Sequence, residues 1–114
     1  MLRIEKSKES QFDILGLQGE VDASNSVILD QAIQELSENG AKYILVDGQQ
    51  LEYISSAGLG VFMSYLEEFA EKEIQLIIFS LNPRVYEVFK ILGLDQLIKI
   101  YPDKNAAIGS THEL

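Results

Sequence analysis

The sequence contains no cysteine and no tryptophan, and it has one histidine and two prolines in 114 residues. Without cysteine there is no disulfide framework, thiolate nucleophile or zinc–thiolate site. The single histidine, His112, belongs to the last three residues. A Ser-His-Asp triad would therefore require the end of the chain to fold back over its serine. We expect a protein that is not an enzyme and that has no metal site and no cofactor.

Basic residues are also scarce, because 9 lysines and arginines stand against 18 aspartates and glutamates, giving a net charge of −9. A charge of this sign repels nucleic acid and anionic membranes. No stretch approaches the length of an apolar membrane span, and the first residues lack the apolar run of a signal peptide. We expect a cytoplasmic protein that binds neither nucleic acid nor membrane.

The length fits a single domain, which we place at residues 1–109, with 110–114 as a flexible tail. Apolar periodicity predicts an N-terminal antiparallel hairpin followed by strands that alternate with helices. The predicted strands are 2–4, 12–17, 43–46, 74–79 and 98–101, and the helical stripes are Ile28–Leu36, Leu59–Ala70 and Val85–Leu92, with a last short helix ending at Ile108.

Strands that alternate with helices become parallel neighbours through right-handed crossovers. We therefore predict an α/β domain with a mixed sheet of four to five strands and about four helices, mostly on one face. The carboxyl ends of parallel strands meet at one edge of a sheet. The loops at Glu20–Asp22 and Ser55–Ser56 should then be neighbours.

The most informative stretch runs from the strand Tyr43–Val46, through Asp47 and a polar segment, into a helix that begins near Ser55 or Ser56. Serine is a preferred N-cap, so capping is the simplest interpretation of either residue. Gly58 and Gly60 fall in the first turn, where glycine lowers helix stability by about 1 kcal/mol relative to alanine but leaves the backbone approachable. The N-terminus of a helix is also a favourable place for a phosphate.

Residues Tyr53–Val61, which read YISSAGLGV, resemble the motif of the anti-sigma factor antagonists of the STAS domain family. The family's usual form is aspartate, serine, a small residue, glycine, leucine and glycine. The stretches Gly19–Asp22 and Asn82–Pro83, together with Gly93–Asp95, are similar to two further family motifs.

This resemblance implies an anti-sigma factor antagonist that binds an ATP-dependent anti-sigma factor serine kinase and is reset by a phosphatase. Ser56 matches the serine that the kinase phosphorylates. Ser55 stands where the family usually has aspartate, so it is the second candidate. We expect a monomer when the protein is free.

The partner is expected to contact the residues around the phosphoacceptor. On a helical wheel, Ala57, Val61 and Tyr65 lie together on the side away from the core stripe. The expected partner-binding residues are Glu20, Asp22, Ser55, Ala57, Gly58, Leu59, Gly60, Val61 and Tyr65.

Two other interpretations remain open. One is a STAS interaction module that binds partners without being phosphorylated. The other is a receiver-like switch phosphorylated on Asp47, which ends a predicted parallel strand. That chemistry uses an acidic pair after the first strand, whereas Glu20 and Asp22 follow the second.

Overall fold

The computed structural model describes residues 1–111, and His112 lies outside this range. The chain opens with the predicted hairpin, in which β1 (Leu2–Glu9) pairs antiparallel with β2 (Phe12–Val21). The strands are longer than their apolar alternation suggested. The turn between them is only two residues long, and its first residue, Ser10, has a left-handed φ of 56°.

The remaining strands are β3 (Tyr43–Ile54), β4 (Gln75–Phe79) and β5 (Lys99–Tyr101). The sheet order is β1-β2-β3-β4-β5, and every pairing after the hairpin is parallel. The prediction of a mixed sheet with an N-terminal hairpin is therefore confirmed, with five strands among residues 1–111.

The third strand differs from its prediction, because it continues to Ile54 instead of ending at Asp47. Gly16 pairs with Asp47 and Gln18 with Gln50, so β3 uses three residues where β2 uses two. A second irregularity follows Gly19. Extra residues of this kind are β-bulges, which interrupt the two-residue alternation of a strand. The polar segment that we interpreted as a loop is thus a bulged strand.

Within the described part of the chain, five α-helices connect and follow the strands: α1 (Ser26–Glu38), α2 (Ser56–Ser64), α3 (Leu66–Lys72), α4 (Pro83–Ile91) and α5 (Lys104–Gly109). A short 3₁₀ helix covers Leu94–Gln96. Among residues 1–111, no helix is both long and apolar enough to cross a bilayer.

The sheet separates two hydrophobic clusters. The larger one contains buried side chains of α1 to α4, and the smaller one contains Ala107 of α5. In β3, Ile44 and Val46 belong to the large cluster and Leu45 to the small one. The strand is therefore buried on both faces, as its unbroken apolar run predicts. The expectation of helices mostly on one face is confirmed, with α5 as the exception.

The last described residues pack more closely than expected. Thr111 is buried, and its hydroxyl donates a hydrogen bond to the Ile108 carbonyl at 2.7 Å. Thr111, which belongs to the predicted flexible tail 110–114, is thus buried in the domain. Residues 112–114 of the predicted tail lie outside the described residues, and their flexibility stays a prediction.

Gly58 brings the first turn of α2 against the sheet. A Cβ at this position would lie 2.7 Å from Ile54 Cγ1 and 2.7 Å from Val21 Cγ1, which is closer than side-chain atoms approach. Gly60 is exposed, and a Cβ there would have no neighbour within 4 Å. Packing therefore accounts for Gly58 and does not account for Gly60.

We expect the two glycines to respond oppositely to alanine. Gly58→Ala should lower the free energy of unfolding by about 1–3 kcal/mol, because the added methyl overpacks the contact with β2 and β3. Gly60→Ala should raise it by up to about 1 kcal/mol through helix propensity. Urea denaturation of both variants measures the difference. A neutral Gly58→Ala would contradict the close packing of α2.

Asn82 is the N-cap of α4, and it also ties this helix to β3. Its Oδ1 accepts a hydrogen bond from the Val85 N–H at 2.8 Å, and its Nδ2 donates to the Leu51 carbonyl at 3.0 Å. One side chain thus caps the helix and fixes the bulged part of β3.

Replacing Asn82 with alanine should lower the free energy of unfolding by about 1–3 kcal/mol, since both hydrogen bonds are lost. Asn82→Asp keeps the cap and loses only the bond to Leu51, so its urea midpoint should lie between those of wild type and Asn82→Ala. Asn105→Ala, at an exposed position of α5, is the matched control and should change stability by less than about 0.5 kcal/mol. Equal midpoints for Asn82→Ala and Asn105→Ala would show that Asn82 has no such role.

Candidate functional site

The carboxyl ends of β2 and β3 lie side by side. Val21 pairs with Ile54, and the Ser55 N–H donates a hydrogen bond to the Val21 carbonyl at 2.9 Å. The chain leaves both strands at the same place, toward α1 from β2 and into α2 from β3. The prediction that the Glu20–Asp22 and Ser55–Ser56 segments are neighbours is confirmed.

The two adjacent serines occupy different environments. Ser55 is the N-cap of α2, has extended backbone angles, and accepts a hydrogen bond on Oγ from the Gly58 N–H at 3.4 Å. It is half-buried, whereas Ser56, the first residue of the helix, is exposed. The Ser55 hydroxyl is therefore used within the fold, and Ser56 is exposed to the surrounding solution.

Asp22 is held in a compact loop after β2. Its Oδ1 accepts hydrogen bonds from the Ser24 hydroxyl at 2.6 Å and the Ser24 N–H at 2.9 Å. These two bonds hold the pKa of the Asp22 carboxyl below its ordinary value. The carboxylate is therefore ionised and oriented at neutral pH.

Asn25 fixes this loop from the inside and was not singled out from the sequence. Its side chain is buried, with Oδ1 accepting from the Asp22 N–H at 2.9 Å and Nδ2 donating to the Glu20 carbonyl at 3.0 Å. Asn25 is the N-cap residue of α1, yet its side chain makes no capping hydrogen bond. Its amide joins the two ends of the Glu20–Asp22 segment instead.

The prediction that Ala57, Val61 and Tyr65 form the outward side of α2 is wrong. Tyr65 is 6% exposed, and its hydroxyl donates a hydrogen bond to Asp30 Oδ1 at 2.5 Å. Burial, reinforced by this bond to the carboxylate, raises the pKa of the Tyr65 hydroxyl. Val61 packs against the large core cluster. The helix ends at Ser64 and α1 packs beside it, so this side of the helix faces a neighbouring element.

The outward side is instead formed by Ser56, Gly60 and Met63, which recur at helical spacing. Met63 was assigned to the core stripe but is 48% exposed. Two exposed apolar side chains outside α2 were also missed, Tyr53 in β3 and Val27 in α1. Tyr53 pairs with Glu20 in the sheet. The spacing of Met63, seven residues after Ser56, was the available sequence signal.

The predicted partner-binding residues thus fall into three classes. Glu20 and Gly60 are exposed, Asp22, Ser55, Ala57 and Val61 are half-buried, and Gly58, Leu59 and Tyr65 are buried. Gly58, Leu59 and Tyr65 contribute mainly to packing, and the exposed surface around Ser56 does not include them.

Asp47, the alternative phosphoacceptor, lies within β3. Its Oδ1 accepts a hydrogen bond from the Gln49 N–H at 3.0 Å, and it borders an open cleft of about 570 Å³ together with Ser80, Asp103 and Lys104. Within residues 1–111, no group of three or more histidine, aspartate or glutamate side chains is arranged to hold a metal ion. The receiver-like switch at Asp47 stays a prediction.

The fold and the motifs agree with comparisons to known proteins. The chain is 26% identical over 99 residues to the anti-sigma-B factor antagonist of Listeria monocytogenes, covering 87% of this chain and 86% of that protein. It superposes with a TM-score of 0.90 on an anti-sigma factor antagonist from Mycobacterium paratuberculosis, at 19% identity, covering 99% and 96% of the two chains. It also superposes on the phosphorylated form of the Bacillus cell fate determinant SpoIIAA, with a TM-score of 0.70 and 19% identity, covering 98% of this chain and all of that one. The STAS domain profile matches residues 3–107, and the chain therefore belongs to the STAS domain family.

Proposed function

We propose that this protein is a cytoplasmic anti-sigma factor antagonist that is switched by phosphorylation of Ser56. Unphosphorylated, it binds an anti-sigma factor that is also a serine kinase, and the sigma factor is released. The observation that carries the proposal is the exposed Ser56 hydroxyl on the first turn of α2 in a STAS domain similar to known anti-sigma factor antagonists.

The geometry favours Ser56 over Ser55 as the phosphoacceptor. A kinase must reach the hydroxyl oxygen, and Ser56 is exposed while the Ser55 hydroxyl accepts the capping bond from Gly58. In the transfer, the Ser56 oxygen forms a bond to the γ-phosphorus of ATP, the bond from that phosphorus to the bridging oxygen of ADP breaks, and the hydroxyl proton passes to a base of the kinase. A phosphatase restores the serine by hydrolysis.

The surface around Ser56 has the composition of a docking site. We define the Ser56 surface as Ser56 and Gly60, the exposed apolar side chains Val27, Tyr53 and Met63, and the carboxylates Glu20 and Asp22. Apolar residues ringed by polar ones are typical of protein interaction sites. Gly60, which has no packing neighbour at its Cβ position, allows the partner to approach the helix backbone.

Phosphorylation acts by adding charge at the centre of this surface. A phosphoserine carries about −1.5 to −2 charges at neutral pH. The Ser56 surface is already acidic, and the kinase site holds nucleotide phosphates, so repulsion and desolvation weaken the complex. A STAS interaction module that is never phosphorylated is the alternative, because Ser55 replaces the usual aspartate beside the acceptor.

Incubation with a candidate kinase and ATP, followed by mass mapping, should place one phosphate on Ser56. Ser56→Ala should abolish labelling and bind the kinase constitutively, whereas Ser56→Asp should weaken binding by about tenfold or more, or about 1.4 kcal/mol. Ser55→Ala is the control and should retain labelling with a small loss of stability. Label on Ser55 would reassign the site, and no label on a chain that still binds the kinase would favour the module.

A double-mutant cycle tests whether Asn25 positions Asp22 for the partner. Asn25→Ala leaves the Asp22 N–H and the Glu20 carbonyl without their partners, so it should weaken kinase binding and lower stability by about 1–3 kcal/mol. In an Asp22→Ala background, Asn25→Ala should have little further effect on binding, although it should still lower stability. Calorimetric titration measures each affinity.

Asn39→Ala, at the exposed opposite end of α1, is the matched control and should leave binding unchanged. If the binding losses of Asn25→Ala and Asp22→Ala simply add, Asn25 has only a structural role.

A further inference from the structure

The first strand of the sheet has a free outer edge. β1 is the outermost strand, and it pairs with β2 without a bulge over all eight of its residues, from Leu2↔Gly19 to Glu9↔Phe12. The other edge strand, β5, has three residues and is followed by Pro102. Proteins protect their edges with short strands, prolines and bulges, because an unpaired edge can bind another strand. β1 has none of these three features, so its charged side chains decide which strand can pair with it.

The register of the hairpin shows which backbone groups of β1 are free. Glu9 and Phe12 flank the two-residue turn, and at the other end of the ladder the Glu20 N–H donates to the Met1 carbonyl at 3.1 Å. In an antiparallel pair, hydrogen-bonded residues alternate with residues whose N–H and C=O point away from the partner. The odd-numbered residues of β1 therefore bond to β2, as Met1 does. The residues whose backbone groups point to the outer edge are Leu2, Ile4, Lys6 and Lys8.

Two charged side chains of β1 are available to a neighbouring strand. Lys6, Lys8 and Glu9 form salt bridges with other elements of the fold. Arg3 and Glu5 are exposed and take part in none of the salt bridges within residues 1–111. Because they lie two residues apart, their side chains are on the same face of the sheet. The edge thus offers one cation and one anion, side by side, to a strand that pairs with it.

We propose that β1 pairs with β1 of a second copy of the chain, antiparallel and across a two-fold axis at Ile4. Ile4 then lies opposite Ile4 of the second copy and Leu2 opposite Lys6, so the outward N–H and C=O groups of these three residues bond to one another. Arg3 lies opposite Glu5 of the second copy, and Glu5 opposite its Arg3. This dimer replaces the expectation of a free monomer, and it does not depend on the function of Ser56.

The charges select this register and favour a second copy as the partner. The two strands meet through their even-numbered residues, so the register changes only in steps that keep these residues bonded. The next register in one direction places Arg3 opposite Arg3, and the next in the other direction places Glu5 opposite Glu5. Opposite charges directly across an antiparallel pair are stabilising and like charges are destabilising. The register centred on Ile4 forms the same ion pair twice, as an isologous contact requires.

The helix side of the same edge supplies an apolar contact. A cleft of about 310 Å³ lies between β1 and α1, and Ile28 at its border is 45% exposed. The residues that line it are Ile4, Lys6, Ile28, Gln31, Ala32 and Glu35. With the two-fold axis at Ile4, the Ile4 side chain of the second copy lies beside this cleft and can contact Ile28. The dimer thus combines backbone pairing with an apolar contact on one face and two ion pairs on the other.

Sedimentation velocity over a concentration series tests the dimer, at about 0.15 M salt, where screening limits the repulsion between the two acidic copies to about 8 Å. The contact is small, so we expect reversible dimerisation in the micromolar range. Ser56→Ala should dimerise like wild type, which separates this test from that of the Ser56 switch.

Two proline variants form a matched pair. Lys6→Pro removes an outward N–H that the dimer uses, so it should raise the dissociation constant by about tenfold or more. The ladder to β2 is kept, because proline is tolerated where the N–H faces away from the sheet. Lys8→Pro also removes an outward N–H and one lysine ion pair, but it lies outside the paired residues 1–7 and should leave dimerisation unchanged.

Charge reversal tests the register. Arg3→Glu places carboxylates opposite each other and Glu5→Arg places cations opposite each other, so each should abolish the dimer in the micromolar range. The double variant restores opposite charges and should dimerise like wild type. Both side chains are exposed, so the urea midpoint should change by less than about 0.5 kcal/mol.

A wild-type protein that stays monomeric into the millimolar range overturns the proposal. A dimer that persists in both Lys6→Pro and Arg3→Glu uses another surface and equally overturns it. If the double charge variant stays monomeric, the pairing of Arg3 with Glu5 is wrong.

Discussion

The site depends on the close approach of α2 to the carboxyl ends of β2 and β3. Val21 and Ile54 are paired in the sheet, and their Cγ1 atoms occupy the space that a Cβ of residue 58 would need. The hydrogen bond from the Ser55 N–H to the Val21 carbonyl fixes where the helix begins. Because the buried side of the first turn is set by these contacts, Ser56 has to face outward. The packing of Gly58 against β2 and β3 thus determines that Ser56, and not Ser55, is exposed.

The Glu20–Asp22 loop beside Ser56 is also held in place by a buried side chain, while its carboxylate remains charged. A capping side chain at the start of α1 would stabilise that helix by about 1 kcal/mol, but the Asn25 amide bonds to the Glu20–Asp22 segment instead. Asp22 is consequently held by buried and local hydrogen bonds while remaining charged. A partner can meet this carboxylate in a defined orientation, so less side-chain entropy is lost when the complex forms.

The sequence predicted those parts of the fold in which local chemistry and burial agree. Within the segment 74–79, residues 76–79 form an unbroken apolar run, and Asn82–Pro83 combines a cap with a residue suited to the first helical position, so both elements were recognised. Tyr65 was misplaced because a helical wheel assumes one continuous helix, whereas α2 ends at Ser64 and α1 buries the next residue. The end of β3 was not predicted, because the two extra residues at its bulges break the two-residue alternation of the strand. The role of Asn25 was not predicted, because its hydrogen bonds to the Asp22 N–H and the Glu20 carbonyl leave no periodic pattern in the sequence.

The position of Ser56 also determines what kind of switch the proposed phosphate can be. The N–H groups of Ser56 and Ala57 precede the first intrahelical bond, from Leu59 N to the Ser55 carbonyl, and can donate hydrogen bonds to an anion. A phosphate therefore finds donors in its own helix without displacing the Ser55 cap or the Gly58 contact. The fold has no reason to rearrange when Ser56 is modified. In the proposed switch the added charge acts directly on the approaching partner, so we expect affinity for the kinase to change while the stability and backbone of the domain stay nearly constant.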